Sequence, residues 1–187
     1  SVIQIRALSA DQVASLETED VAGLSNNQLD ALSSDQFVAL TSDQISALTT
    51  AQVASLKVGN LGAMTSDQVQ AITTDQLGAL TNTQFSRLGS DQVSVMTTAQ
   101  IAAITTDDFN SLNTSAFANL TTEQVEAITT DQIAALGDNL IRAMSTDAVV
   151  ALSTEQLAAL SLDQIGVLSQ AQIDEMSFEQ LNALTLT

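Results

Sequence analysis

No Cys, His, Pro, Trp or Tyr occurs anywhere in the 187 residues. Without Cys and His, disulfides, thiol chemistry and zinc sites of the usual kind are excluded. The lack of Cys does not fix a compartment. Without Pro, and with seven scattered Gly, there is little sign of a linker, and the chain reads as one repeat domain over residues 1–187. Aromatics make up 3%, so any core must be aliphatic, thin and regular. Four basic residues (Arg6, Lys57, Arg87, Arg142) face 22 acidic ones, a net charge of −18. Nucleic acid and anionic membrane surfaces are sought by basic footprints, so neither is expected as a partner. No apolar run reaches the roughly 18 residues of a membrane span, so membrane insertion is not expected. Ser1 already opens a repeat, so no signal peptide is visible. An exported protein would carry its signal outside these residues.

What is present is one eight-residue phrase from end to end. It runs without insertion or deletion from Leu8-Ser9-Ala10-Asp11-Gln12-Val13-Ala14-Ser15 to the copy that spans Met176 to Ala183. Every position in the row Leu8, Leu16, Leu24 onward to Leu184 is Leu, Met or Ile. Every position in the row Val13, Val21, Leu29 onward to Leu181 is Val, Ile, Leu or Phe. The consensus is Leu-[Ser/Thr]-[Ser/Thr]-Asp-Gln-[Ile/Val/Leu]-x-Ala. A unit this short cannot bury its own apolar face, so it must stack on its neighbours in a quasi-linear array.

Three conformations compete for the octad. On a continuous helix, eight residues overshoot two turns by roughly 80°, and the apolar pairs would spiral instead of forming a stripe. On a strand, Leu8 and Val13 would point to opposite faces, and Asp, Ala and Gln are poor strand formers. A short helix per octad uses every position. Ser9 is an N-cap and Gln12 at N3 completes a capping box. Asp11 at N2 meets the positive end of the helix dipole. Leu8 and Val13, at N′ and N4, form a hydrophobic staple. The same start recurs at Thr41-Ser42-Asp43-Gln44, Thr73-Thr74-Asp75-Gln76 and Thr129-Thr130-Asp131-Gln132. The predicted fold is therefore all-α: a solenoid of very short capped helices, one per repeat. Each helix is about six residues long, and isolated helices of that length are unstable in water. Stacking must hold them, with small residues such as Ala31, Ala39 and Ala47 permitting close approach. Two or three octads per superhelical turn give an array of roughly 80–120 Å.

Five units lack Ser or Thr at the cap (Glu17, Lys57, Gly89, Asn113, Gly137), and Gln is replaced at Asp20, Asn60, Asp108, Ala116, Leu140 and Ala148. Residues 56–60 and 136–140 are the most degenerate stretches, and local irregularity is expected there. Neither end carries an atypical polar cap of the kind solenoids use to close. The chain reads as a section of a longer array or a subunit with open ends. Apolar residues at N1 (Val2, Val58, Leu162, Phe178, Leu186) are read as extra packing or as contacts with a flanking domain or another subunit.

Chemistry has few places to reside. Fourteen of the acidic residues, among them Asp11, Asp35, Asp43, Asp67, Asp75, Asp91 and Asp131, occupy N2, where dipole complementarity accounts for them. A carboxylate ladder binding calcium weakly is the alternative, but calcium needs six to eight oxygens at one point. Doubled hydroxyls such as Thr73-Thr74, Thr97-Thr98, Thr105-Thr106 and Thr121-Thr122 read as a cap plus a polar N1. The alternative is a water- or ice-ordering surface. The Gln row is taken up by the capping box. Ser and Thr nucleophiles lack a base and an orienting group, and no unit stands out from the rest. An enzyme is not expected, with no catalytic, cofactor-binding or metal-ligating residue and no cofactor.

The runs Leu120-Thr121-Thr122-Glu123-Gln124-Val125-Glu126-Ala127 and Ile128-Thr129-Thr130-Asp131-Gln132-Ile133-Ala134-Ala135 resemble octad repeats of very large, acidic, secreted bacterial proteins, similar to repetitive adhesins and type I secretion substrates. The resemblance covers the whole chain. It implies an extracellular or cell-surface location and a structural role, as a stalk, spacer or filament-forming segment. A binding module for protein or glycan is the alternative. The expected partners are the protein itself, end to end or side by side, or flanking domains. The calcium-binding nonapeptides of some such proteins have no counterpart here.

Overall fold

The computed structural model describes residues 1–185. They form 23 α-helices and no strand, from α1 (Val2–Arg6) to α23 (Phe178–Thr185). All but the last are four to six residues long, one per octad. The helix starts follow the sequence reading closely. In α2 (Ala10–Ala14), the Ser9 hydroxyl accepts from Gln12 N at 3.2 Å and the Gln12 carboxamide accepts from Ser9 N at 2.8 Å. Thr41 and Gln44 repeat this at α6 (Ser42–Ala47), at 3.2 and 2.8 Å. The cap residue is extended, with φ −74° and ψ 162° at Thr41, and this non-helical residue ends one helix and starts the next.

The helices wind into a superhelix with three per coil. Every closely packed pair is three helices apart in chain order, for example α6 on α3 (Thr18–Ala22), and α9 (Ser66–Ala71) on α6. One coil is thus three octads, and each residue lies above its counterpart three octads earlier. The choice between two and three octads, left open by the sequence, falls on three. The array is correspondingly shorter than a two-octad coil would make it.

The two apolar rows divide the work between coils. The N4 row is buried from Ile5 onward, with Val13, Val21 and Leu29 fully so, yet Ile165, Ile173 and Leu181 in the last coil are only half-buried. The N′ row shows the reverse. Leu8, Leu16 and Leu24 in the first coil are half-buried, whereas Leu32 through Met176 are buried. N4 side chains are therefore covered by the next coil, and N′ side chains by the previous one. Each such side chain contributes about 1.5–3 kcal/mol on burial, which offsets the cost of nucleating so short a helix. Ala31, Ala39 and Ala47 lie half-buried at or just past helix C-termini.

The N1 apolar residues do not add to this core. Leu162 and Phe178 are 74% and 76% exposed, and Val58 is 39% exposed. Leu186 lies outside the described residues.

Leu80, 4% exposed, belongs to the N′ row in mid-array. Leu80→Asp removes its packing and places a carboxylate between two coils, at an expected cost of about 4 kcal/mol or more. Chemical denaturation followed by far-ultraviolet circular dichroism measures this, and an unchanged midpoint and helicity would contradict the packing described.

Candidate functional site

A helix of four to six residues is nearly all ends. Its first N–H and last C=O groups have no intrahelical partner, and burying them unpaired is costly. The capping box serves the N-terminal groups. The C-terminal carbonyls are served from the next coil by the other end of the same Gln side chain. Gln44 Oε1 accepts from Thr41 N, while its Nε2 donates to Val13 O at 3.0 Å and Leu16 O at 2.7 Å. Val13 is in the last turn of α2, and Leu16 lies at the corner leading to α3. Gln76 repeats the arrangement with Ile45 O at 2.9 Å, Ser46 O at 3.2 Å and Leu48 O at 2.7 Å. So does Gln164, with Ile133 O at 3.0 Å and Leu136 O at 2.8 Å. The acceptors stand 31 and 28 residues earlier from Gln36 to Gln172, except at Gln92, which reaches only Leu61 O. These amides are buried, Gln44 to 1% exposure.

The capping box thus accounts for only half of each Gln. A signal for the other half stands in the sequence. A capping box takes Glu as readily as Gln, yet in this strongly acidic chain no N3 position is Glu. A carboxylate could accept from the cap N–H but could not donate to the coil before.

Where Gln is replaced, neighbours take over some of its bonds. Ala116 has no amide for Leu88 O, and Nδ2 of the cap residue Asn113 donates there at 2.8 Å. Leu140 cannot accept from the Gly137 N–H, and Asn110 Oδ1 from the coil before accepts instead at 2.8 Å. Asp108, 6% exposed, accepts from the Thr105 hydroxyl at 2.6 Å. The octads around Gly137 are therefore regular helices, contrary to the irregularity expected at 136–140. Residues 56–60 likewise keep a six-residue helix, although Lys57 makes no cap bond.

The outer surface carries the remaining candidates. The N2 carboxylates fall into rows that repeat every three octads, such as Asp11 and Asp35 on one side and Asp43, Asp67 and Asp91 on another, all exposed. Among the described residues no group of three or more acidic side chains comes close enough to hold a metal ion. The paired hydroxyls at Thr49-Thr50, Thr73-Thr74, Thr97-Thr98 and Thr121-Thr122 share a third side and are exposed. The first of each pair is committed to its cap. Among the described residues there is no pocket, and no helix is long and apolar enough to cross a membrane.

Two of the N2 carboxyls have lowered pKa values. At Glu123 the main cause is its own backbone N–H, followed by the hydroxyl of Thr121. At Glu155 it is again the backbone N–H, then the Ser153 hydroxyl. A depressed folded-state pKa stabilises above the ordinary carboxylate range, and the contribution is lost as pH falls through the folded value. Carboxyl carbon shifts followed by NMR during an acid titration should place both midpoints below the ordinary glutamate value. Midpoints at or above that value would show that the N2 carboxylates do not cap. The ladder of Gln bonds is tested by Gln76→Glu, which keeps shape and cap bond but turns the donor into a carboxylate facing three carbonyls. At neutral pH it should cost about 3–5 kcal/mol. The introduced carboxyl has a raised pKa in the folded state, so stability should return as pH falls below it and vanish as pH rises through it. A variant as stable as the parent at neutral pH would show that the ladder does not hold the coils together.

No curated protein matches the chain. The model of one repeat family, the ALTTAQ repeat, matches residues 13–50, 45–82, 71–106, 101–138 and 141–170 in tandem. Its phrase is found verbatim at Ala47-Leu48-Thr49-Thr50-Ala51-Gln52, whose Gln52 caps its own helix and donates to Val21 O and Leu24 O in the coil before. With these matches covering well over half of the sequence, the chain belongs to the ALTTAQ repeat family.

Proposed function

We propose that this repeat module is structural: an elongated stalk, spacer or filament-forming segment of a cell-surface or secreted bacterial protein, without catalytic activity. The observation that carries the reading is the uniform join between coils. Each coil docks on the one before through the same two apolar rows and through Gln bonds at the octads that keep Gln, from Gln36 to Gln180. A repeat joined in this way adds length without changing its cross-section. With 23 helices at three per coil and packing at about 8–10 Å, the array is roughly 60–80 Å long. Further octads, of the same chain or of another copy, would join by the same bonds.

The surface location rests on the resemblance to large acidic secreted proteins and on the net charge of −18, which favours solubility and opposes random association. A second reading is favoured by the exposed Leu162 and Phe178 side chains. In it the array is a docking or adhesive module that covers them with a flanking domain, a second copy or another protein. Against it stands the scatter of the other anchor-type residues on which tight interfaces usually depend: the exposed Arg6, Arg87 and Arg142 lie on three different sides of the coil, and Phe37, Phe85, Phe109 and Phe117 are buried.

Small-angle scattering of the 187-residue chain, with light scattering on the same sample, separates the readings. A globule of this size would have a radius of gyration of roughly 16 Å and a largest dimension of about 40–45 Å. The spacer should give about 19–24 Å and roughly 65–85 Å as a monomer, or multiples of that length with unchanged cross-section as a filament. A compact particle would overturn the spacer reading and favour a closed binding domain.

A further inference from the structure

Among the described residues, two buried side-chain atoms have no hydrogen-bond partner, Asn60 Nδ2 and Asp30 Oδ1. They belong to two successive coils, on the two sides of one seam. Asn60 occupies N3 of α8 (Val58–Ala63), the Gln position of its octad, and is 5% exposed. In the register of the other octads its amide belongs to Leu29 O and Leu32 O, 31 and 28 residues earlier. Those carbonyls end α4 (Asn26–Leu29) and form the corner before α5 (Ser34–Val38), and Asp30 lies between them. The approach of the two coils is fixed here by Lys57 Nζ, which donates to Asp30 O. Asn is one methylene shorter than Gln, so its Nδ2 is drawn back from the carbonyls that Gln Nε2 reaches.

We propose that one ordered water molecule is built into this seam. It accepts from Asn60 Nδ2 and donates to two of the three acceptors Leu29 O, Leu32 O and Asp30 Oδ1. Buried waters are held by two to four polar partners, and a water's volume is about 30 Å³, close to that of the missing methylene. The water completes the bond that Gln makes directly elsewhere, and it relieves a buried donor and a buried acceptor that would otherwise stay unpaired. A metal cation is disfavoured, because the Lys57 ammonium already sits against the same segment and Asn60 presents a donor. The other substitutions create no such need. Leu140 and Ala148 bring no polar atom to the seam, the bond to Leu88 O lost at Ala116 is taken over by Asn113, and the Asp108 carboxylate accepts from the Thr105 hydroxyl.

The test is water-to-amide transfer NMR on the nitrogen-15-labelled full chain. The Asn60 side-chain amide protons should show cross-peaks to water with opposite signs in the laboratory and rotating frames, the signature of a long-lived bound molecule. Asn60→Gln restores the consensus, so it should fold, lose those cross-peaks and melt a few degrees higher. Absence of the cross-peaks in the parent chain, or their persistence in Asn60→Gln, would overturn the proposal.

Discussion

A helix of five residues has almost no interior, and the rest of the structure depends on how its end groups are paired. One Gln per octad does this for two helices at once. Its oxygen closes the capping box of its own helix, and its nitrogen closes the carboxyl end of a helix in the coil before, as Gln76 does for Ile45 O and Leu48 O. Each bond adds about 1 kcal/mol net, a small sum against the cost of leaving the same groups buried and unpaired. The bond also sets geometry. An amide that must meet acceptors 31 and 28 residues earlier admits one register of coil on coil, and the N′ and N4 rows pack in the register so chosen.

Directionality is a consequence. N′ side chains point back and N4 side chains point forward, so Leu32 is covered by the previous coil and Val13 by the next. The two faces of a coil are complementary but not alike, a donor face with its Leu row and an acceptor face with its carbonyls. Heterologous joins of this kind continue in one direction instead of closing on themselves. The stack also tolerates imperfect octads, and at two of them an Asn elsewhere on the seam supplies a bond the missing Gln would have made. Asn113 and Asn110 supply what Ala116 and Leu140 lack, and both replacements are amides.

Much of this was legible in the sequence. The octad spacing argued against one long helix and against a strand, and Ser9, Asp11, Gln12 and the Leu8–Val13 pair placed each helix start to the residue. The number of helices per coil was not legible, because capping boxes and staples are local and close within one octad. The long-range half of the Gln row escaped for the same reason: a side chain explained by a bond within its own octad leaves no visible need for one in another coil. The absence of Glu from every N3 position, with Asp there only at Asp20 and Asp108, was the one clue, since a capping box alone takes Glu as readily as Gln. The expected irregularity at residues 136–140 did not appear, because the compensating Asn110 lies in another coil. The packing role given to Leu162 and Phe178 failed because N1 points outward in this superhelix.

Three octads per coil, held in register by the Gln bonds, is the geometry on which stacking, direction and length all rest. The chain has no Cys, so nitroxide pairs can be placed cleanly on exposed Thr positions. Thr98 and Thr122 are three octads apart and share a side, whereas Thr98 and Thr114 are two octads apart and lie on different sides. Dipolar broadening of the nitroxide spectrum at low temperature measures both separations. Neighbouring coils at about 8–10 Å predict strong broadening for the first pair and much weaker broadening for the second. Stronger broadening for Thr98 with Thr114 would mean two octads per coil and would contradict the ladder.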